Sequence, residues 1–247
     1  PAALAGVQVI PLDGERGQFT ATQLEAALPP KDDHFAPPSL VCIENTHNRS
    51  GGSVWPLEQI ASVAVTARKH GLALHLDGAR LWNASSMSGI SEAEYASYFE
   101  TVSVCYSKGL GAPIGSALAG SNEVIAKARF YRKQQGGAMR QVGILAAAAL
   151  HALQHNRERL AEDHANCRSL ANGLAKLPFL EVDASSVETN IVFIGTGGRN
   201  AFDLSKRLDE AGLRLLATGP HTLRAVTNLT VTENEISEAI TAFEQLT

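Results

Sequence analysis

Short apolar runs alternate with amphipathic stretches along the first 120 residues. Residues 39–44 (SLVCIE) and 72–76 (LALHL) are apolar runs of strand length bounded by turn residues, and each predicts a buried strand. Between them Leu57, Ile60, Ala61, Ala64 and Ala67 recur at helical spacing. Pro56 suits the first turn and Gly71 the position past the last, which predicts a helix over 57–70. Residues 101–107, rich in β-branched side chains, and 114–119 read as two further strands. Upstream, Thr20 and Gln23 have capping-box spacing ahead of Leu24, Ala27 and Leu28, and Pro29-Pro30 stops that helix. Residues 6–13 read as a strand, whereas 81–100 show no regular period.

The second half has longer helical patterns, over 123–134, 139–155 and 157–176. The middle one is rich in alanine and the last in charge. In the final seventy residues, short strands near 180–182, 191–194, 213–217 and 223–227 alternate with helices at 200–211 and 233–246. A second capping box, Thr232 and Glu235, opens the last helix. Strand–helix alternation predicts an α/β fold: a mostly parallel sheet with helices on both faces, followed by a smaller α+β domain. The expected division is 1–155, part of a large domain, and 156–247, a connecting helix and a small C-terminal domain.

Composition narrows the function. At 45% apolar and 19% charged, 247 residues can bury a substantial core. A net charge of −4 argues against a nucleic-acid partner, and no apolar run is long enough to span a bilayer. Cys42, Cys105 and Cys167 are odd in number and far apart. They form neither a disulfide framework nor a zinc pattern, so no metal and a reducing, cytoplasmic setting are expected.

Three polar clusters follow predicted strands: Asn45-Thr46-His47, Asp77-Gly78-Ala79-Arg80 and Ser107-Lys108-Gly109. Ligands of open parallel sheets bind at the carboxyl ends of strands, so these clusters should share a rim. An enzyme fits that convergence better than a scaffold. Lys108, between an apolar strand and a glycine-rich turn, is either an activated amine able to form an imine or a solvated loop lysine. Asp77 is suited to keeping a pyridinium nitrogen protonated, and equally to a helix cap or an ion pair. His75 reads as a hydrogen-bonded structural histidine and Cys105 as core. Gly109-Leu110-Gly111-Ala112-Pro113-Ile114-Gly115 has the wrong spacing for a dinucleotide fingerprint and precedes a strand rather than a helix.

Four strings, in order, resemble the threonine aldolase family of low-specificity L-threonine type, within the fold type I (aspartate-aminotransferase-like) enzymes that use pyridoxal phosphate. They are Glu44-Asn45-Thr46-His47-Asn48, His75-Leu76-Asp77-Gly78-Ala79-Arg80, Ser107-Lys108 with the turn after it, and Arg132-Lys133 followed by Gly136-Gly137-Ala138-Met139-Arg140-Gln141. The resemblance implies that Lys108 carries the cofactor, Asp77 pairs with its ring nitrogen and Arg80 lies near cofactor and substrate. It implies that Arg224 forks onto the substrate carboxylate. Lys133 and Arg140 would reach the cofactor phosphate across a subunit boundary of a homodimer or homotetramer with shared active sites. The implied reaction splits a β-hydroxy-α-amino acid such as threonine or allo-threonine into glycine and an aldehyde. His47 would take the hydroxyl proton or orient a water that does. Other fold type I reactions, β-elimination or transamination, and a non-catalytic homologue are the alternatives.

One departure is small: Ala138 stands where the family usually has a third glycine. The other is large. Family members carry a segment ahead of the point that aligns with Pro1, with a phosphate cup and a ring-stacking residue. That N-terminal segment is expected to be missing here, so residues 1–247 alone should bind pyridoxal phosphate weakly or not at all. An absorbance band of lysine-bound cofactor, from material whose intact mass shows no extra segment, would overturn this.

Overall fold

The computed structural model describes residues 2–246. After a short helix α1 (Ala2–Ala5), the expected strand over 6–13 does not form: Val7, Val9 and Ile10 are exposed. Alternation alone makes no strand without a neighbour to pair with. Helix α2 (Ala21–Ala27) starts on the expected box, with the Thr20 side chain accepting from the Gln23 N–H (3.2 Å) and Gln23 Oε1 accepting from the Thr20 N–H (2.7 Å).

The larger sheet contains β1 (Leu40–Glu44), β2 (Ala73–Gly78), β3 (Thr101–Cys105) and β4 (Ser116–Gly120), in that order. The first three are parallel and β4 is antiparallel to β3. Helix α3 (Leu57–Lys69) crosses from β1 to β2 as predicted. Its Ile60, Val63, Ala64 and Ala67 pack on Val41, Ile43, Leu74 and Leu76, with Trp55 and Tyr95 filling the same core. On the opposite face Leu40, Cys42, Ala73 and Asp77 are exposed.

Residues 81–100, which lack a legible period, contain α4 (Leu81–Ser88) and α5 (Glu92–Ala96). Serine and asparagine in α4 are poor helix formers, and burial of Leu81 and Ala84 compensates. Beyond β4 come α6 (Asn122–Gln134), α7 (Gly143–His155) and α8 (Leu160–Leu174). The middle helix begins four residues later than expected, because Gly136 and Gln141 both take positive φ and hold a turn.

The C-terminal part has β5 (Ile191–Gly195), α9 (Ala201–Glu210), β6 (Leu216–Gly219), β7 (Thr222–Val226) and α10 (Glu233–Glu244). The strands form an antiparallel sheet in the order β5-β7-β6, and the expected strand at 180–182 is reduced to one bridge, Glu181 to Gly195. Leu170, Leu174, Val192, Ile194, Leu204, Leu208, Ile236 and Phe243 make its separate core. A third cluster, Leu110, Ala112, Ala152 and Leu160, lies under the turn after β3. Among the described residues, no helix is long and apolar enough to cross a membrane.

Between the two sheets, burial pushes the His164 imidazole down to about 4, with the nearby Arg168 charge adding to the effect. The unfolded chain, with an ordinary histidine, therefore binds more protons between roughly pH 6.5 and pH 4. This contribution is fully present above that window and is lost as pH falls through it, costing on the order of 3 kcal/mol. Urea titrations at stepped pH should show it, and removal of the imidazole by His164→Gln should flatten that part of the profile.

Candidate active site

Three strand ends build the site. Glu44, Asp77 and Ser103 are register partners across β1, β2 and β3, so their side chains share one face. Cys105, two residues beyond Ser103, points the same way. From strand spacings of ~4.8 Å and ~3.3 Å per residue, the Asp77 and Cys105 Cα atoms lie roughly 8 Å apart. The Lys108 Nζ lies 3.4 Å from Cys105 Sγ, which brings the amine to that face. Cys105 is thus half-buried against the lysine rather than a core residue. Its parity with Asp77 carried that signal.

The turn holding Lys108 is tight. The Gly111 N–H donates to the Lys108 carbonyl (2.8 Å) and the Ala112 N–H to the Tyr106 carbonyl (3.0 Å). At Gly111, φ is +72°, and a Cβ would sit 1.8 Å from Leu229, so glycine is required twice over. The Asp77 Oδ1 accepts from the Ala79 N–H (3.0 Å), which orients the carboxylate. His75, two residues before Asp77 on the same face of β2, bonds Thr101 Oγ1 (2.8 Å) and feels the Asp77 charge.

Arg80 is half-buried at the start of α4. Burial first, and then the Arg224 guanidinium, lowers its pKa, while Glu44, Cys105 and Asp77 act in the opposite sense. Arg224 comes from β7 in the other sheet, and its Nη1 donates to Asn48 Oδ1 (3.1 Å). Its Nε is buried without a partner. Two guanidiniums near enough to disfavour each other's charge, one of them with an orphaned N–H, are costly unless an anion completes them. A carboxylate has the matching geometry.

His47 lies in the loop after β1, whose hairpin-like bonds run from the His47 N–H to the Ser53 carbonyl and from the Gly52 N–H to the His47 carbonyl (both 2.9 Å). Its Nδ1 is 2.8 Å from Ser50 Oγ and its Nε2 is 3.8 Å from Glu44 Oε2. Gly17 packs against the ring, where a Cβ would meet Nδ1 at 2.2 Å. Asn48 donates its N–H to Glu44 Oε1 (3.0 Å). Glu44 and Asn48 thus link His47, Arg80 and Arg224, a role invisible from their place in a motif string. Lys133 and Arg140 are exposed, and among the described residues no hydrogen bond or ion pair joins them to this group.

The beta-eliminating lyase family pattern matches residues 1–196. The low-specificity L-threonine aldolase of Escherichia coli is 37% identical over 96% of this chain and 69% of its own length. The chain belongs to the threonine aldolase family. Low-specificity L-threonine aldolase 1 of Arabidopsis thaliana is 40% identical over 94% of the chain and 66% of its own. The chain thus spans about two thirds of these relatives' length. A Leishmania major threonine aldolase structure superposes with a TM-score of 0.76 over 94% of this chain and 68% of that one, at 22% identity, which places the fold in type I.

Threonine aldolases use pyridoxal phosphate, and the residues present fit it. Lys108 supplies an exposed amine held against Cys105, and Asp77 an oriented carboxylate on the same sheet face. Among the described residues no group of three histidine, cysteine or acidic side chains is placed to hold a metal.

Proposed function

We propose that the protein carrying this chain cleaves the Cα–Cβ bond of a β-hydroxy-α-amino acid of the threonine or allo-threonine kind, releasing glycine and an aldehyde. The observation that carries the reading is the Arg80–Arg224 pair, with its orphaned Nε, on the rim that holds Lys108 and Asp77. Pyridoxal phosphate, when bound, supplies the sink for the electron pair of the broken bond. Lys108 would hold its aldehyde carbon and Asp77 its ring nitrogen. Arg80 and Arg224 would grip the substrate carboxylate and so fix how the amino acid is turned in the site. With Nδ1 engaged by Ser50, the His47 Nε2 is the nitrogen free to receive the β-hydroxyl proton, directly or through a water. Glu44 Oε2 lies 3.8 Å from that nitrogen.

Lys133 and Arg140 are assigned to the cofactor phosphate of a neighbouring subunit in a homodimer or homotetramer. Support comes from helix α6, which buries nothing, and from Phe130, Tyr131, Met139 and Ile144, which stay exposed beside these charges. The cores around β1–β3 and around β5–β7 support a large domain over 1–155 and a small one over 156–247, with the cluster of Leu110, Ala112, Ala152 and Leu160 lying across their junction. Three free cysteines agree with the cytoplasm. The deciding assay compares aldehyde release from threonine, allo-threonine and phenylserine with pyruvate and ammonia release from serine. Aldehyde and glycine in equal amounts are expected; pyruvate as the main product would move the enzyme to β-elimination.

A further inference from the structure

Behind the two arginines lies a chain of buried polar side chains that no step of the reaction uses. Asn83, 1% exposed, sits one turn into α4 from Arg80. Its Nδ2 donates to His164 Nε2 (3.0 Å) on α8 and reaches Asn190 Oδ1 (3.5 Å) just ahead of β5. Asn190 Nδ2 donates to the Thr227 carbonyl (2.9 Å), and the Thr227 N–H returns to the Asn190 carbonyl (3.0 Å). Thr227 Oγ1 donates to the Asp163 carbonyl (2.6 Å). Both hydrogens of the Asn83 amide are thereby committed, and its Oδ1 lies 3.1 Å from where a Cβ of Gly109 would stand. The backbone next to Lys108 therefore rests on this amide.

The addresses matter more than the bonds. Asn83 is three residues after Arg80, and Thr227 is three after Arg224. Each arginine thus has an anchor about one turn or one strand end away, and the anchors are joined through Asn190. A buried polar set is seldom a gain in stability over apolar packing, but it admits only one arrangement of its members. His164, kept unprotonated by burial, remains an acceptor at neutral pH.

We propose that Asn83, His164 and Asn190 are positioning residues that set the gap between Arg80 and Arg224, and hence the fit of the site to an α-carboxylate. This rests on the carboxylate reading above. In the holoenzyme, His164→Leu should raise the KM for the amino acid about tenfold with kcat changed less than about threefold, since misplacing a clamp weakens binding first. His164→Gln, whose amide oxygen can accept where Nε2 did, should restore KM. In cofactor-free protein, hydrogen exchange should quicken in 109–112 and 226–229 for His164→Leu and stay unchanged elsewhere. If that variant does not fold, Asn190→Ser is read the same way.

Arg224→Gln separates the two claims. If it leaves KM unchanged, the carboxylate reading falls, and the exchange pattern alone then judges whether the chain holds these segments. If it raises KM while His164→Leu does not, the positioning role is wrong. Exchange quickened equally throughout, with kcat falling in parallel, would also overturn it by showing a general folding defect.

Discussion

In the complete protein, Lys108→Ala should lose turnover by ~10³-fold or more while folding normally, because it removes the amine proposed to anchor the cofactor. The side chain is exposed and, among the described residues, its one polar contact is to Cys105 Sγ. Substitutions of that kind change stability by only about 0.5 kcal/mol. Unfolding midpoints of wild type and variant should therefore coincide, and aldehyde release from threonine should not. The cofactor's lysine-bound absorbance should vanish with it. Undiminished turnover would instead favour a homologue that keeps the fold without the chemistry.

Asp77→Asn carries the second large effect. The Oδ1 that accepts from the Ala79 N–H has an equivalent in asparagine, so the turn into α4 keeps its bond. What is lost is the negative charge. A neutral amide cannot favour a protonated ring nitrogen, and the developing charge at the broken bond loses its counterpart. Removing one preorganised electrostatic partner from a site typically costs ~10²–10³-fold, and the loss is expected in kcat. KM should move little, because the carboxylate grip is proposed for Arg80 and Arg224. A rise in KM with kcat intact would assign Asp77 to substrate binding.

These two residues were legible because the chemistry they imply depends on strand ends, and strand ends are marked locally. The runs 39–44, 72–76 and 101–107 each stop at a polar cluster, and folding sets those stops at neighbouring positions of three parallel strands. Helix α3 and both capping boxes could be read for the same reason: their signals lie within a few residues. Residues 81–100 could not. Helices α4 and α5 are short, serine-rich or acidic, and exist because Leu81, Ala84 and Tyr95 find a core made by other segments.

Local pattern alone determined the parallel α/β sheet, the capped helices and the rim on which an amine and a carboxylate meet, because period and capping act over one or two turns of chain. Only the tertiary structure decided which residues complete them. Cys105 against Lys108, Arg224 against Asn48 and Arg80, and Asn83 against His164 and Asn190 are pairings made by folding. Several span eighty to nearly two hundred residues of sequence, as Arg224 to Asn48 does at a separation of 176. A side chain's partner at that range is set by how two sheets dock, and docking depends on the summed shape and burial of whole faces rather than on the neighbours of any one residue.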